Sequence, residues 1–153
     1  MQEKVKFVPK TNTVNQDRQY FLQGDTFIKV DTIVERGRNE AKILSSLDHP
    51  YIQKYIRSYE KEGLHYLETE YFRGQSLEYT TLTVDQQKVV QSQLLQVLAY
   101  LTLEYVTHQD INVSNVLFNG EKILLIDWET AGHGNPLGDI SGIKRCNILC
   151  YRS

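Results

Sequence analysis

The chain is predicted to adopt an α+β fold in two unequal halves: an antiparallel sheet with one helix, then a reduced, mainly helical part. Three observations predict it. Short segments with apolar and polar residues alternating, punctuated by Gly, Asp and Asn, fill most of the first seventy residues. A single long apolar repeat of helical period, Val90, Leu94, Val97, Leu98, Leu101 and Tyr105, dominates the stretch after Thr83. There is no internal repeat, low-complexity tract or Pro/Gly/Ser-rich linker, so the 153 residues are expected to form one domain, 1–153, with a first half over 1–72, a connection near 68–74 and a second part over 75–153.

In chain order, Lys4 to Val8 alternates as a strand does, Gln19 to Leu22 resumes the pattern, and Gly24-Asp25 separates it from Thr26 to Val30, which predicts a hairpin. From Glu35 to Leu47 the period changes: Ala41, Ile43, Leu44 and Leu47 share a helical face, and Asp48-His49-Pro50 ends it, because Pro disfavours helix in the residue before it. Gln53 to Tyr59 and Leu64 to Tyr71 are strands joined through Lys61-Glu62-Gly63, and Arg73-Gly74-Gln75 breaks the pattern. Thr83 with Gln86 three residues on fits a capping box for the long helix. Beyond a polar segment from His108, Val116 to Phe118 and Lys122 to Ile126 form a hairpin around Asn119-Gly120.

Composition excludes several functions. Lys and Arg total 17 against 19 for Asp and Glu, a formal charge of −2 with pI near 6.1, and neither half carries a basic arm, so no nucleic-acid partner is expected. The ten tyrosines lack the basic groove that base stacking needs. No apolar run is long enough to cross a bilayer and the first ten residues are charged, so neither membrane span nor signal peptide is expected and the location is predicted to be cytoplasmic. Cys146 and Cys150 are spaced for one helix face and serve better as idle thiols than as a zinc or redox pair. Gly132, Gly134 and Gly138 do not form a dinucleotide loop, because Pro136 interrupts them, no helix pattern opens there and no acidic partner follows.

The chemistry concentrates in His108-Gln109-Asp110-Ile111-Asn112-Val113-Ser114-Asn115, an H-x-D-x-x-x-x-N pattern, and in Asp127-Trp128-Glu129, which closes the hairpin. Phosphoryl transfer needs a carboxylate near the attacking hydroxyl and oxygen ligands that hold Mg²⁺ against phosphates. The turn brings Asn115, at the start of one strand, and Asp127, at the end of the other, to the same end of the hairpin, where both can face one cation.

These residues resemble the protein-kinase-like superfamily, and the D-W-E form is most similar to its aminoglycoside phosphotransferase and choline kinase branch. Upstream, Phe27-Ile28-Lys29 resembles the strand-lysine motif, Asn39-Glu40-Ala41-Lys42-Ile43-Leu44 the helix whose glutamate pairs with that lysine, and Leu67 through Gly74 the hinge that receives adenine. The resemblance implies a two-lobed fold, ATP and Mg²⁺ as cofactors, and a γ-phosphoryl transfer to a hydroxyl acceptor, a small molecule first and a protein hydroxyl second. It implies Asp110 as the catalytic carboxylate, Asn115 and Asp127 as Mg²⁺ ligands, Lys29 on the α and β phosphates with Glu40 orienting it, and the backbone of Glu70, Tyr71 and Phe72 at the adenine. Asp139 in Gly138-Asp139-Ile140 is expected to buttress the catalytic loop. The sequence departs from the pattern in three places: Thr11 to Gln16 lacks the glycines of a phosphate loop, Asn112 replaces a common lysine, and no A-P-E segment or further set of helices follows Asp127. Those departures raise two alternatives. One is a pseudokinase serving as a nucleotide- or partner-binding module; the other is a homo-oligomer or partner that completes the acceptor site.

Overall fold

The computed structural model describes residues 6–7 and 17–147. Strands β1 (Lys6–Phe7), β2 (Arg18–Gln23), β3 (Thr26–Asp31), β4 (Tyr55–Lys61) and β5 (Leu64–Glu70) form an antiparallel sheet in the order β1-β2-β3-β5-β4. The first hairpin turns through Gly24-Asp25 with Gln23 opposite Thr26, and the second through Glu62-Gly63 with Lys61 opposite Leu64. Helix α1 (Val34–Ser45) lies across β3, β4 and β5 and buries Ala41, Ile43 and Leu44, with Leu47 just beyond it, as the apolar spacing requires.

The strand expected over Gln53 to Tyr59 begins two residues later. Ile52 bridges Leu125 in parallel, and Gln53 N–H donates to the Leu125 carbonyl (3.2 Å), so this segment ties the first sheet to the second lobe. A bulge between Tyr55 and Arg57 resets the register.

Beyond the connection come β6 (Gln75–Ser76), a 3-10 turn (Leu77–Tyr79) and helix α2 (Val84–Glu104). Thr83 accepts from the Gln86 N–H, and the Gln86 side chain accepts from Thr83 N–H, which completes the expected capping box. Val90, Leu94, Val97 and Leu101 are fully buried and Leu98 is partly so. Tyr105 is the exception: it ends the helix in the left-handed region (φ 55°), which turns its ring to solvent.

Strands β8 (Val116–Phe118) and β9 (Ile123–Leu125) pair as expected, with β6 at their edge. The turn sits one residue later than Asn119-Gly120. Asn119 and Lys122 close it, the Asn119 side chain accepts from the Glu121 and Lys122 N–H groups, and Gly120 supplies the positive φ of 99°. Two further strands, β7 (Val106–Thr107) and β10 (Gly132–His133), pair antiparallel.

The segment after β10 corrects the expectation that no helix opens there: a 3-10 turn (Pro136–Gly138) runs into helix α3 (Asp139–Arg145). Asn135 caps it by accepting from Leu137 N–H, with Pro136 at the first position. No helix among the described residues is long and apolar enough to cross a membrane. Cys150 and the stretch of sequence from Thr11 to Gln16 lie outside the described residues.

Candidate active site

Strand β3 carries Lys29 inward and α1 carries Glu40 to meet it. Their charged atoms lie 2.8 Å apart, with Lys29 3% and Glu40 2% exposed. Two more carboxylates reach the same ammonium: Glu129 at 2.6 Å and Asp127 at 3.5 Å. Burial alone would favour a neutral lysine; Glu40, Asp127 and Glu129 together outweigh it and hold Lys29 well above its ordinary value. Burial likewise pushes Glu129 up, and its bonds to Lys29 and Arg18 more than reverse that, leaving it below the usual carboxylate range. The second oxygen of Glu40 accepts from Trp128 N–H (2.8 Å), so one carboxylate fastens both the strand lysine and the segment after β9.

The loop after β7 is built around two fixed groups. His108 is fully buried; Asp110 N–H donates to its Nδ1 (3.1 Å), which leaves the ring proton on Nε2 to be donated to the Ile126 carbonyl (2.9 Å). Burial lowers the imidazole below its ordinary value, so the ring is a neutral strut joining Asp110 to the strand that ends at Asp127. Trp128 packs edge-on against it, with centroids 4.6 Å apart. The second group is Asp139, which accepts from Thr107 Oγ1 (3.1 Å), His108 N–H (2.9 Å) and Gln109 N–H (2.9 Å). Those bonds hold Gln109 in the left-handed region (φ 72°), a conformation Asp127 also adopts (φ 60°).

Within this frame the Asp110 carboxylate is exposed and accepts from the Asn115 side chain (3.0 Å) and the Asn112 side chain (3.1 Å). Asn112 in turn accepts from Ser114 N–H (2.9 Å), so it braces the loop locally. Asn115 Nδ2 also donates to the Asp110 carbonyl (2.8 Å), and Ile126 N–H donates to the Asn115 carbonyl (2.9 Å), which sets Asn115 beside Asp127 at one end of the hairpin. At the connection, Glu70 N–H donates to the Lys54 carbonyl (3.0 Å) and Tyr71 N–H to the Asp25 carbonyl (2.8 Å). Phe72 follows at the same connection, half-buried, and its carbonyl accepts from Gly74 N–H (3.1 Å). A shallow cavity of about 320 Å³ near the connection is lined by Gly74, Thr81, Gln86 and Phe118 among others, and none of Lys29, Asp110, Asn115 or Asp127 reaches it.

The structure therefore gathers Lys29, Glu40 and Asp127 in one cluster and Asp110 with Asn115 in an adjoining one. Among the described residues the groups that could jointly hold a cation include Glu40, Asp127 and Glu129. Cys146 belongs to no such group and is buried, its thiol pushed up to about 12 by burial.

Sequence reasoning missed three contributors. Glu129 was visible in the D-W-E triplet, yet its reach to Lys29 was not. Arg18, which pairs with Glu129, stands two residues from Tyr20, the register partner of Lys29. Gly142 of α3 is the third: a Cβ there would lie 2.5 Å from the Ile111 carbonyl oxygen, so only glycine lets α3 seat against the loop that carries Asp110.

A family model described as the protein kinase domain matches residues 21–145. The chain is 28% identical over 110 residues to the probable serine/threonine-protein kinase YbdM of Bacillus subtilis, covering 66% of this chain and 42% of that protein. It is 35% identical over 112 residues to the serine/threonine-protein kinase hippo of Drosophila melanogaster, covering 69% and 17%. Against human serine/threonine-protein kinase 10 it is 32% identical over 88 residues, covering 54% and 9%. The chain thus spans less than half the length of these relatives.

Proposed function

The chain belongs to the protein kinase domain family, and from that premise we propose that it is an ATP- and Mg²⁺-dependent phosphotransferase acting on a hydroxyl acceptor. The observation that carries the proposal is the buried Lys29–Glu40 pair at 2.8 Å with Asp127 3.5 Å from the same ammonium, joined through His108 to Asp110. Two cations, Lys29 and Arg18, face three carboxylates, Glu40, Asp127 and Glu129, so the cluster carries a surplus negative charge that suits a divalent cation.

Bound MgATP supplies the transferable phosphoryl group and the metal that neutralises its charge. Asp127 and the amide oxygen of Asn115, whose nitrogen is taken by Asp110, would hold the metal. Lys29, kept charged and aimed by Glu40, would hold the phosphates, and the Phe72 N–H would receive the base. Asp110, exposed and oriented by Asn112 and Asn115, would accept the proton of the acceptor hydroxyl and align it.

The named relatives favour a protein serine or threonine as acceptor. Asn112 and the D-W-E triplet favour a small-molecule alcohol, the second reading. Incubation with labelled ATP and Mg²⁺ in the presence of a serine- and threonine-rich basic protein, or of choline or an aminoglycoside, separates them. Transfer should depend on Mg²⁺ and disappear in Asp127→Asn, while Asp110→Asn should lose turnover and keep nucleotide affinity. MgATP binding with no transfer to any acceptor would replace both readings with a binding module.

The outward side of α2 leaves Leu95 and Leu103 exposed, Leu103 at 85%, a surface that suits an additional copy or partner. Sedimentation at micromolar concentration tests this, with a monomer counting against it.

A further inference from the structure

Arg18 opens β2, and the register sets Tyr20 opposite Lys29, so Arg18 and Lys29 are diagonal neighbours on one face of the sheet. Its side chain is only 8% exposed, an unusual place for a guanidinium without a structural partner. The carboxylate directly opposite in register, Asp31, is not that partner: Arg36 claims both of its oxygens at 2.7 Å. Arg18 instead reaches across to Glu129, whose other oxygen takes Lys29 at 2.6 Å. One carboxylate thus bridges two cations side by side. Arg18 Nε, also buried, has no hydrogen-bond partner among the described residues, a donor that the ion pair leaves unused.

From this geometry we propose that Arg18 and Lys29 form a two-cation site for the polyphosphate of a nucleotide, and that Glu129 is its internal stand-in, occupying the anion position until phosphate displaces it. The proposal rests on the kinase reading above and extends it to a residue outside the motifs that identified it. A polyphosphate presents several anionic oxygens, so it can take the Lys29 ammonium, the Arg18 position now held by Glu129 and the idle Nε together, which one carboxylate does not. It also gives a chain with no glycine between residues 11 and 16 a side-chain means of holding phosphate.

If Arg18–Glu129 were only a tether, loss of either end would act alike. Competition for phosphate makes them act in opposite directions. Calorimetric titration of the full chain with adenosine, ADP and ATP in Mg²⁺ reads this directly. Arg18→Gln should weaken ATP by about ten-fold, the scale of one charged hydrogen bond, and leave adenosine within about two-fold. Glu129→Gln should tighten ATP several-fold with adenosine again unchanged, in a background where Arg18 is intact. Equal weakening of ATP and adenosine in Arg18→Gln, or ATP affinity moving the same way in both variants, overturns the assignment. Wild-type protein that binds MgATP while Arg18→Gln binds it equally well defeats this inference and leaves the kinase reading standing. Wild-type protein with no saturable MgATP binding defeats both.

Discussion

Replacing Lys29 with Met removes the cation that Glu40, Asp127 and Glu129 share and keeps a side chain of similar length. Taking one partner from a buried ion pair costs about 3–5 kcal/mol, because the remaining charge stays desolvated. Two features reduce that here. Glu40 keeps the Trp128 N–H at 2.8 Å, a bond to a charged group that contributes about 1.5–3 kcal/mol, and Glu129 keeps Arg18. We therefore expect Lys29→Met to lose about 3 kcal/mol at pH 7.5, a large share of the roughly 5–15 kcal/mol that holds a domain together. Trp128 is the chain's one tryptophan and is fully buried against this cluster, so urea unfolding followed by its fluorescence reports the loss.

The pH dependence isolates the cause. Lys29 is the main group that holds Glu129 down against its burial, so in the variant the folded-state value of Glu129 rises, it binds its proton more readily when folded, and the variant regains stability as pH falls. In the wild type Lys29 sits well above its ordinary value, so its contribution is complete below about 10.5 and is lost only as pH rises through the folded-state value. The gap between the two proteins should therefore narrow from pH 7.5 to pH 5. A loss under about 1 kcal/mol at pH 7.5, or a gap that stays constant on acidification, would show that the cluster is solvated and would refute the argument from burial.

Three further outcomes follow from the loop that carries Asp110 and from three histidines. Gly142→Ala should push α3 off Ile111, costing about 1–3 kcal/mol by overpacking and lowering turnover more than it changes nucleotide affinity; thermal unfolding and single-turnover assays read the two effects. Asp139→Asn leaves an amide nitrogen facing either Gln109 N–H or the donors of Thr107 and His108, so about 1–3 kcal/mol should go, with activity falling through misplacement of Asp110; an unchanged melting temperature would count against the buttress. Burial depresses His49, His65 and His108, so their contribution is complete above about pH 6.5 and declines as pH falls from there toward the lower folded-state values. Unfolding free energy measured in urea should be smaller at pH 5.5 than at pH 7.5, and a flat profile would show that these rings titrate freely in the folded chain.

What could be read in the sequence was what periodicity or a short-range motif encodes. The faces of α1 and α2, the capping box at Thr83 and both first-sheet hairpins each depend on residues within a few positions of one another, where the spacing of apolar side chains determines the local structure. Strands β7 and β10 span two residues each and carry no period, and α3 is only seven residues long, so their existence depends on partners far along the chain. Yet α3 carried start and stop signals: Asn135-Pro136 before it and Lys144-Arg145 in its last turn. The site followed the same division. Lys29, Glu40, Asp110, Asn115 and Asp127 were proposed from ordered motifs, whereas Arg18 and Glu129 meet across 111 residues with no local pattern to announce them. A long-range ion pair is legible only once the sheet register is known, because it is Tyr20 standing opposite Lys29 that brings Arg18 to the same face. The residues that periodicity cannot locate, Arg18 and Glu129, are thus the ones that the proposed two-cation site adds to Lys29.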